Sequence, residues 1–200
     1  MRRVVLSLAG VLFAAGCSAP QLDRATAARV IREAAEFREP GFVGVNRAEA
    51  LSDCAAKLRE DAAWGALSKA GWLAARNEDD FEHGVEGRPA VKCVGHLAGD
   101  GLRAGVSVDT TTYRQWRVPA ANRELVAVTS VTPSQQGIST VRFTFRWSLN
   151  VFGREVYQPG GQLAGEAVLR SLNDGWHAAS FTTLPGFSPV PLSPQGEPSP

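Results

Sequence analysis

Val141, Phe143, Phe145, Trp147 and Leu149 alternate with Arg142, Thr144, Arg146 and Ser148. A period of two puts the first set on one face of an extended chain and the second set on the other. The stretch 139–150 is therefore a strand with one apolar and one wet face, the pattern of an antiparallel sheet covered on a single side. Such a strand needs neighbours to complete its ladder and partners to bury its rings. Further strand candidates follow the same logic at 90–94, 104–112, 124–132, 162–171 and 176–183. Asp174-Gly175 is a strong hairpin turn signal, so Leu169 and its neighbours are expected to pair against Trp176 and Phe181. Phe143, Phe145 and Trp147 together on the core face point to a filled interior rather than a cavity.

The first part of the chain reads as helix. Asp23 can cap a helix that runs to Glu39, where Pro40 and Gly41 stop it, and Val30, Ile31, Ala34 and Phe37 share its apolar face. Asn46, with Glu49 three residues on, resembles a capping box opening a second helical region. Leu51, Cys54, Ala55, Leu58 and Ala62 form its stripe, and Trp64, Leu67 and Ser68 continue it after a kink. Gly71 fits the position after the helix end, with Trp72 able to reach back to Leu67. Residues 77–87 read as an acidic loop.

Helices followed by strands indicate an α+β fold, with N-terminal helices and then a meandering, mostly antiparallel β-sheet. A single domain is expected over 23–184, with a helical part at 23–76 and a sheet part at 89–183. From Leu184 onward prolines recur, which marks 185–200 as a disordered or extended tail. A cystatin-like or nuclear-transport-factor-like curved sheet is one specific form of this fold. The segment Ala62–Leu73, "AAWGALSKAGWL", with "KCVG" at Lys92–Gly95, resembles the helix that precedes the wing in winged-helix domains. That resemblance implies a winged-helix-like segment plus sheet as the alternative architecture.

Charge narrows the partners. Lys and Arg together number 21 against 20 Asp and Glu. A chain so balanced lacks the basic footprint that supplies nucleic-acid affinity, so no nucleic-acid partner is expected.

Met1, Arg2 and Arg3 open the chain with positive charge, and an apolar run follows from Val4 to Ala15. The run is too short for a membrane span, which takes about 20 residues, and suits the apolar region of a signal peptide. A secretory signal with Cys17 as a bystander, or a buried N-terminal helix, would use the same residues. Ala14, Ala15, Gly16 and Cys17 resemble the lipobox of bacterial lipoproteins, with Ala14 where Leu is usual. The resemblance implies a signal peptide over 1–16, acylation of Cys17 with palmitate-type chains, and a membrane tether over 17–22. Ser18 after the cysteine then implies the outer membrane, facing the periplasm.

Export places the other cysteines in an oxidising compartment, where Cys54 and Cys93 form an even pair. A bond between them would close a loop of about 40 residues, for which chain entropy gives roughly 4 kcal/mol. Two separate buried thiols are the other reading. A zinc site from Asp80, His83, Cys93 and His96 would compete for the same sulfur, but only one tight ligand pair is present where structural sites show two.

No catalytic constellation emerges. There is no G-x-S-x-G elbow, no phosphate-binding glycine loop and no regular calcium loop around Glu78, Asp79, Asp80 and Glu82. Tyr113, Arg114, Trp116 and Arg117 form an aromatic and basic knot that is the candidate partner patch, or else a strand end with snorkelling arginines. The expectation is a non-enzymatic, membrane-anchored envelope lipoprotein that meets an envelope protein or cell-wall partner, with no cofactor and no metal. The alternative is a small-molecule-binding protein or enzyme with a cavity between helix and curved sheet.

Overall fold

The computed structural model describes residues 21–47, 53–86, 88–111, 114–133 and 135–192. Elements follow in the order α1 (Arg24–Glu33), α2 (Ala35–Arg38), β1 (Gly41–Asn46), α3 (Cys54–Glu60), α4 (Ala62–Lys69), β2 (Leu73–Val85) and β3 (Arg88–Leu97). Next come α5 (Gly99–Arg103), β4 (Ser107–Val108), β5 (Gln115–Val131) and β6 (Ile138–Leu149). The chain continues through α6 (Val151–Val156), β7 (Tyr157–Gln158), β8 (Leu163–Leu172), β9 (Gly175–Thr183) and β10 (Val190–Pro191). The fold is α+β, but helices and strands are not segregated as expected. β1 lies among the first helices, and α5 and α6 lie among the strands.

The main sheet runs β1-β5-β6-β8-β9, with β4 also paired to β5, and every pairing is antiparallel. β6 sits at its centre and its alternation decides which face is covered. Val141, Phe143 and Phe145 are fully or almost fully buried. Arg142 and Arg146, on the wet face, pair with Glu166 at 2.9 Å and Glu124 at 3.0 Å on the flanking strands. The last hairpin closes as expected, with Leu172 paired to Gly175 across a turn at Asn173 and Asp174.

Two cores share β5. In the first, α1 lays Ala27, Val30 and Ile31 against Leu125, Val128, Phe143, Phe145, Ala167 and Leu169. Asp23 caps α1 by accepting from the Thr26 amide at 2.7 Å. The expected single helix to Glu39 breaks at Ala34, whose ψ is 135°. The break lets Phe37 enter the sheet's aromatic cluster, 5.9 Å from Phe143 and 6.0 Å from Phe145 between ring centres. Packing Phe37 edge-on against two rings outweighs one continued helical turn. Leu22, expected in the tether, is buried in this core.

The second core gathers Trp64, Leu67, Trp72, Cys93, Trp116, Val118 and Phe152. Asn46 is the last residue of β1 and does not open a helix; Asp53 caps α3 instead, accepting from the Ala56 amide at 2.8 Å. Glu49 and Leu51 lie outside the described residues. Asp61 ends α3 and caps α4, accepting from Ala63 and Trp64 at 3.0 and 3.1 Å, so the kink has its own cap. α4 ends as expected: Gly71 has φ +70°, and Trp72 donates to the Leu67 carbonyl at 2.9 Å.

β5 serves both cores because Trp116, Val118 and Ala120 point to one face and Ala121 and Leu125 to the other, and the bulge near Val126 returns Val128 to the first core. Of the proline-rich stretch expected to be a disordered or extended tail, the described residues 185–192 pack against the body. Phe187 packs 5.2 Å from Trp147 and β10 pairs with β7, so apolar burial holds a segment whose composition reads as disorder. Among the described residues, no helix is long and apolar enough to cross a membrane.

Candidate functional site

The aromatic and basic knot does not form one surface. It lies at the start of β5, where alternation sends Trp116 and Arg117 to opposite faces. Trp116 is 2% exposed and packs 5.5 Å from Trp64 in the second core. Arg117 lies 3.5 Å over the Phe42 ring and 3.4 Å from Glu39, holding β1 to β5. The Arg114 carbonyl accepts from the Arg47 amide at 2.8 Å. Tyr113 lies outside the described residues, as does Cys17. As a docking patch the knot is corrected: its central ring is core, and its arginine at 117 is structural.

Cys54 and Cys93 are joined in a disulfide with Cα atoms 4.7 Å apart. The bond ties the first residue of α3 to the middle of β3. Asn77, paired with Cys93 across the hairpin, accepts from the Cys54 amide at 2.7 Å, so staple and cap meet at one point. Gly95 completes the base. A Cβ there would stand 2.6 Å from Trp116 and 2.8 Å from Trp64, which is why a strand that packs on two indoles carries glycine. The zinc alternative is ruled out with the disulfide, because Cys93 has no free thiolate.

Beyond this base the chain departs most from its expected form. Of the stretch 77–87 read as an acidic loop, residues 77–85 belong to β2, which pairs with β3 in a two-stranded arm. Glu78, Asp79 and Asp80 pair with Lys92, Val91 and Ala90, and the register then shifts before Val85 meets Arg88. Gly84 allows the shift, since a Cβ there would lie 2.2 Å from the Arg88 carbonyl oxygen. Acidic residues have low strand propensity, and cross-strand pairing from the stapled base overrides it. The arm carries apolar side chains into solvent: Phe81 is 77% exposed, Val85 71% and Val91 45%. Near them along the arm stand Asp79, Glu82 and Glu86 with Arg88 opposite Val85, so the tip is apolar with an excess of carboxylates. Phe81 inside an acidic run was the available sequence signal.

The histidines each face a carboxylate. His83 Nδ1 is 3.0 Å from Asp80, His96 is 3.5 Å from Glu78, and His177 Nε2 is 2.9 Å from Asp174. The hydrogen bond from His83 holds the Asp80 carboxyl below the usual range, and His177 does the same for Asp174. Asp80, Glu82 and His83 could crowd a cation, but Asp80 already accepts from the Glu82 and His83 amides at 3.0 and 3.4 Å and meets the imidazole besides. The cluster is the arm's own bend.

Phe37, Phe143, Phe145 and Phe181 fill the covered face of the main sheet. His177 instead borders an open groove of about 290 Å³ between the α1–α2 junction and β9, with Arg29, Glu33, Asp174 and Trp176. A second groove of about 600 Å³ lies between α1–α2 and β5, lined by Arg32, Phe37, Arg38, Asn122, Arg123, Glu124 and Leu125. No protein-family model matches the chain, and no curated protein or solved structure is significantly similar to it.

Proposed function

We propose that the protein is an envelope lipoprotein, anchored through acyl chains on Cys17 to the outer membrane on its periplasmic side. In that position it works as a non-enzymatic interaction module, and the β2–β3 arm is its contact element. The observation that carries the contact role is the exposure of Phe81 and Val85 on an arm stapled to the body by Cys54–Cys93. A folded chain that puts a phenylalanine 77% into water gains from burying it against something else. The flanking carboxylates define that partner as a protein with an apolar pocket rimmed by Lys and Arg.

The anchor reading rests on the sequence from Met1 to Ser18 and on the disulfide, which suits an oxidising compartment. Two or more acyl chains anchor a protein stably, at about 0.8 kcal/mol per buried methylene. The aromatic filling of the main sheet favours a contact role over a ligand cavity. The order α3, α4, then a hairpin supports the winged-helix-like reading of residues 62–95. α1 against a curled sheet supports the cystatin-like or nuclear-transport-factor-like reading of the remainder.

A photo-crosslinking residue at position 81 of the full chain tests the contact role in intact cells. The expected result is one discrete adduct, absent with the probe at Gln136 and lost when Asp79 and Glu82 are changed to Lys. No adduct at 81, or an adduct indifferent to the charge reversal, would overturn it.

A further inference from the structure

The groove between α1–α2 and β5 gathers Arg32, Arg38 and Arg123 beside one lining carboxylate, Glu124, which is bridged to Arg146. Arg32 and Arg38 line it from the helices, and among the described residues neither side chain has an ion-pair or hydrogen-bond partner. Three of the nearby carboxylates have other arginine partners, although the Glu39 charge also reaches Arg123 and the Glu36 carboxylate, on α2 with Arg38, has no partner among the described residues. Glu33 pairs with Arg29 at 3.1 Å, Glu39 with Arg117 at 3.4 Å, and Glu124 with Arg146 through both of its oxygens at 3.0 and 3.1 Å.

Arg123 forms the back of the groove and is held rigidly. Its Nη1 donates to the Glu36 and Glu39 carbonyls at 2.8 and 3.1 Å, and the guanidinium lies 4.3 Å over the Trp147 ring. Its Nε is buried without a hydrogen-bond partner. That nitrogen is closed to solvent, so what Arg123 offers the groove is a fixed positive charge rather than its Nε hydrogen. The fork is thus oriented in advance, with the entropy of ordering it already spent in folding.

Three arginines lining one open hollow, against a single carboxylate already bridged to Arg146, suit a compact oxyanion with several acceptor oxygens. Asn122 adds an amide to the same rim, and Leu125 and Phe37 give it an apolar floor. We propose that this groove binds a phosphoryl group. Two sources share that chemistry: the headgroup of an anionic phospholipid and a soluble phosphate ester. The groove's place favours neither by itself. Arg32 lies about 12 Å along α1 from Arg24, at a rise of about 1.5 Å per residue, so a bilayer near the start of α1 and free solvent are both within reach.

The test uses the full chain carrying Cys17→Ser, so that acyl chains do not themselves drive partition. Calorimetry with glycerol 1-phosphate measures the soluble arm. Sedimentation with phosphatidylcholine vesicles, with and without one-fifth phosphatidylglycerol, measures the bilayer arm. Saturable binding in either arm, weakened by salt and at least ten-fold weaker in Arg32→Gln/Arg38→Gln, is expected. Binding of the ester without preference for anionic vesicles assigns a soluble ligand, and the converse assigns a headgroup. The double variant alters two exposed side chains and is expected to keep its melting temperature, so lost binding is not lost folding. Absence of binding in both arms, or equal binding by the double variant, overturns the proposal. Neither arm involves the β2–β3 arm, so this result is independent of the contact role.

Discussion

Removing the Cys54–Cys93 bond is the perturbation whose size follows most directly from the fold. The two residues are 39 apart in sequence, and closing a loop of that length costs the unfolded chain an entropy worth about 4 kcal/mol at 25 °C. Cys93 is fully buried and Cys54 nearly so, both in the second core, so their replacement also thins packing around Trp64 and Leu67. Cys54→Ala/Cys93→Ala is therefore expected to lose about 4 kcal/mol or slightly more. For a chain of this size that corresponds to a fall of about 8–16 °C in melting temperature. Urea and thermal denaturation of the oxidised wild type and the double variant give the number. Hydrogen exchange gives its location, with protection expected to fall first in α3 and in the arm from Leu73 to Leu97. A double variant that melts with the wild type would refute the reasoning. So would two free thiols counted in the denatured, unreduced protein.

Other substitutions separate core from surface. Trp116→Ala is expected to cost about 3–5 kcal/mol, as burial in the second core requires, while Arg117→Ala costs under about 1 kcal/mol; equal effects by urea denaturation would contradict the placement of β5. Gly95→Ala forces a methyl against two indoles and is expected to destabilise by about 1–3 kcal/mol, which thermal melting checks. Asp61→Ala removes the cap of α4 and is expected to cost about 1 kcal/mol. The Glu124 carboxyl is held below the ordinary glutamate range by the hydrogen bond and charge of Arg146. Its contribution to stability is therefore complete above that range and is lost as pH falls through the lowered value. Arg146→Gln is expected to return the Glu124 titration to the ordinary range, read by carboxyl NMR.

The sequence showed those parts of the fold whose signals are local and periodic. β6, β8 and β9 announce themselves by alternation and by Asp174-Gly175, and α4 by its glycine stop. The disulfide followed from parity and compartment. Elements shaped by packing at a distance were hidden. β1 is short and contains two glycines, Gly41 and Gly44, each filled from outside by Phe187 and Gln115. The first half of β5 contains Pro119, tolerated beside the register shift at Gly41 and Phe42. The arm was masked by its acidic residues, whose pairing depends on a base fixed by Cys93 and Asn77. Trp116 looked available because a tryptophan between arginines reads as surface until the strand direction is known. Arg123 became a candidate only when β5 and α2 met.

The proposed place of the protein in the envelope turns on Cys17. Growth with labelled palmitate, followed by membrane fractionation of the wild type and Cys17→Ser, tests it most directly. The expected result is label on the wild-type protein in the outer-membrane fraction, with Cys17→Ser unlabelled and no longer fixed in that membrane. An unlabelled wild-type protein, or a Cys17→Ser variant that remains in the outer membrane, would contradict the account.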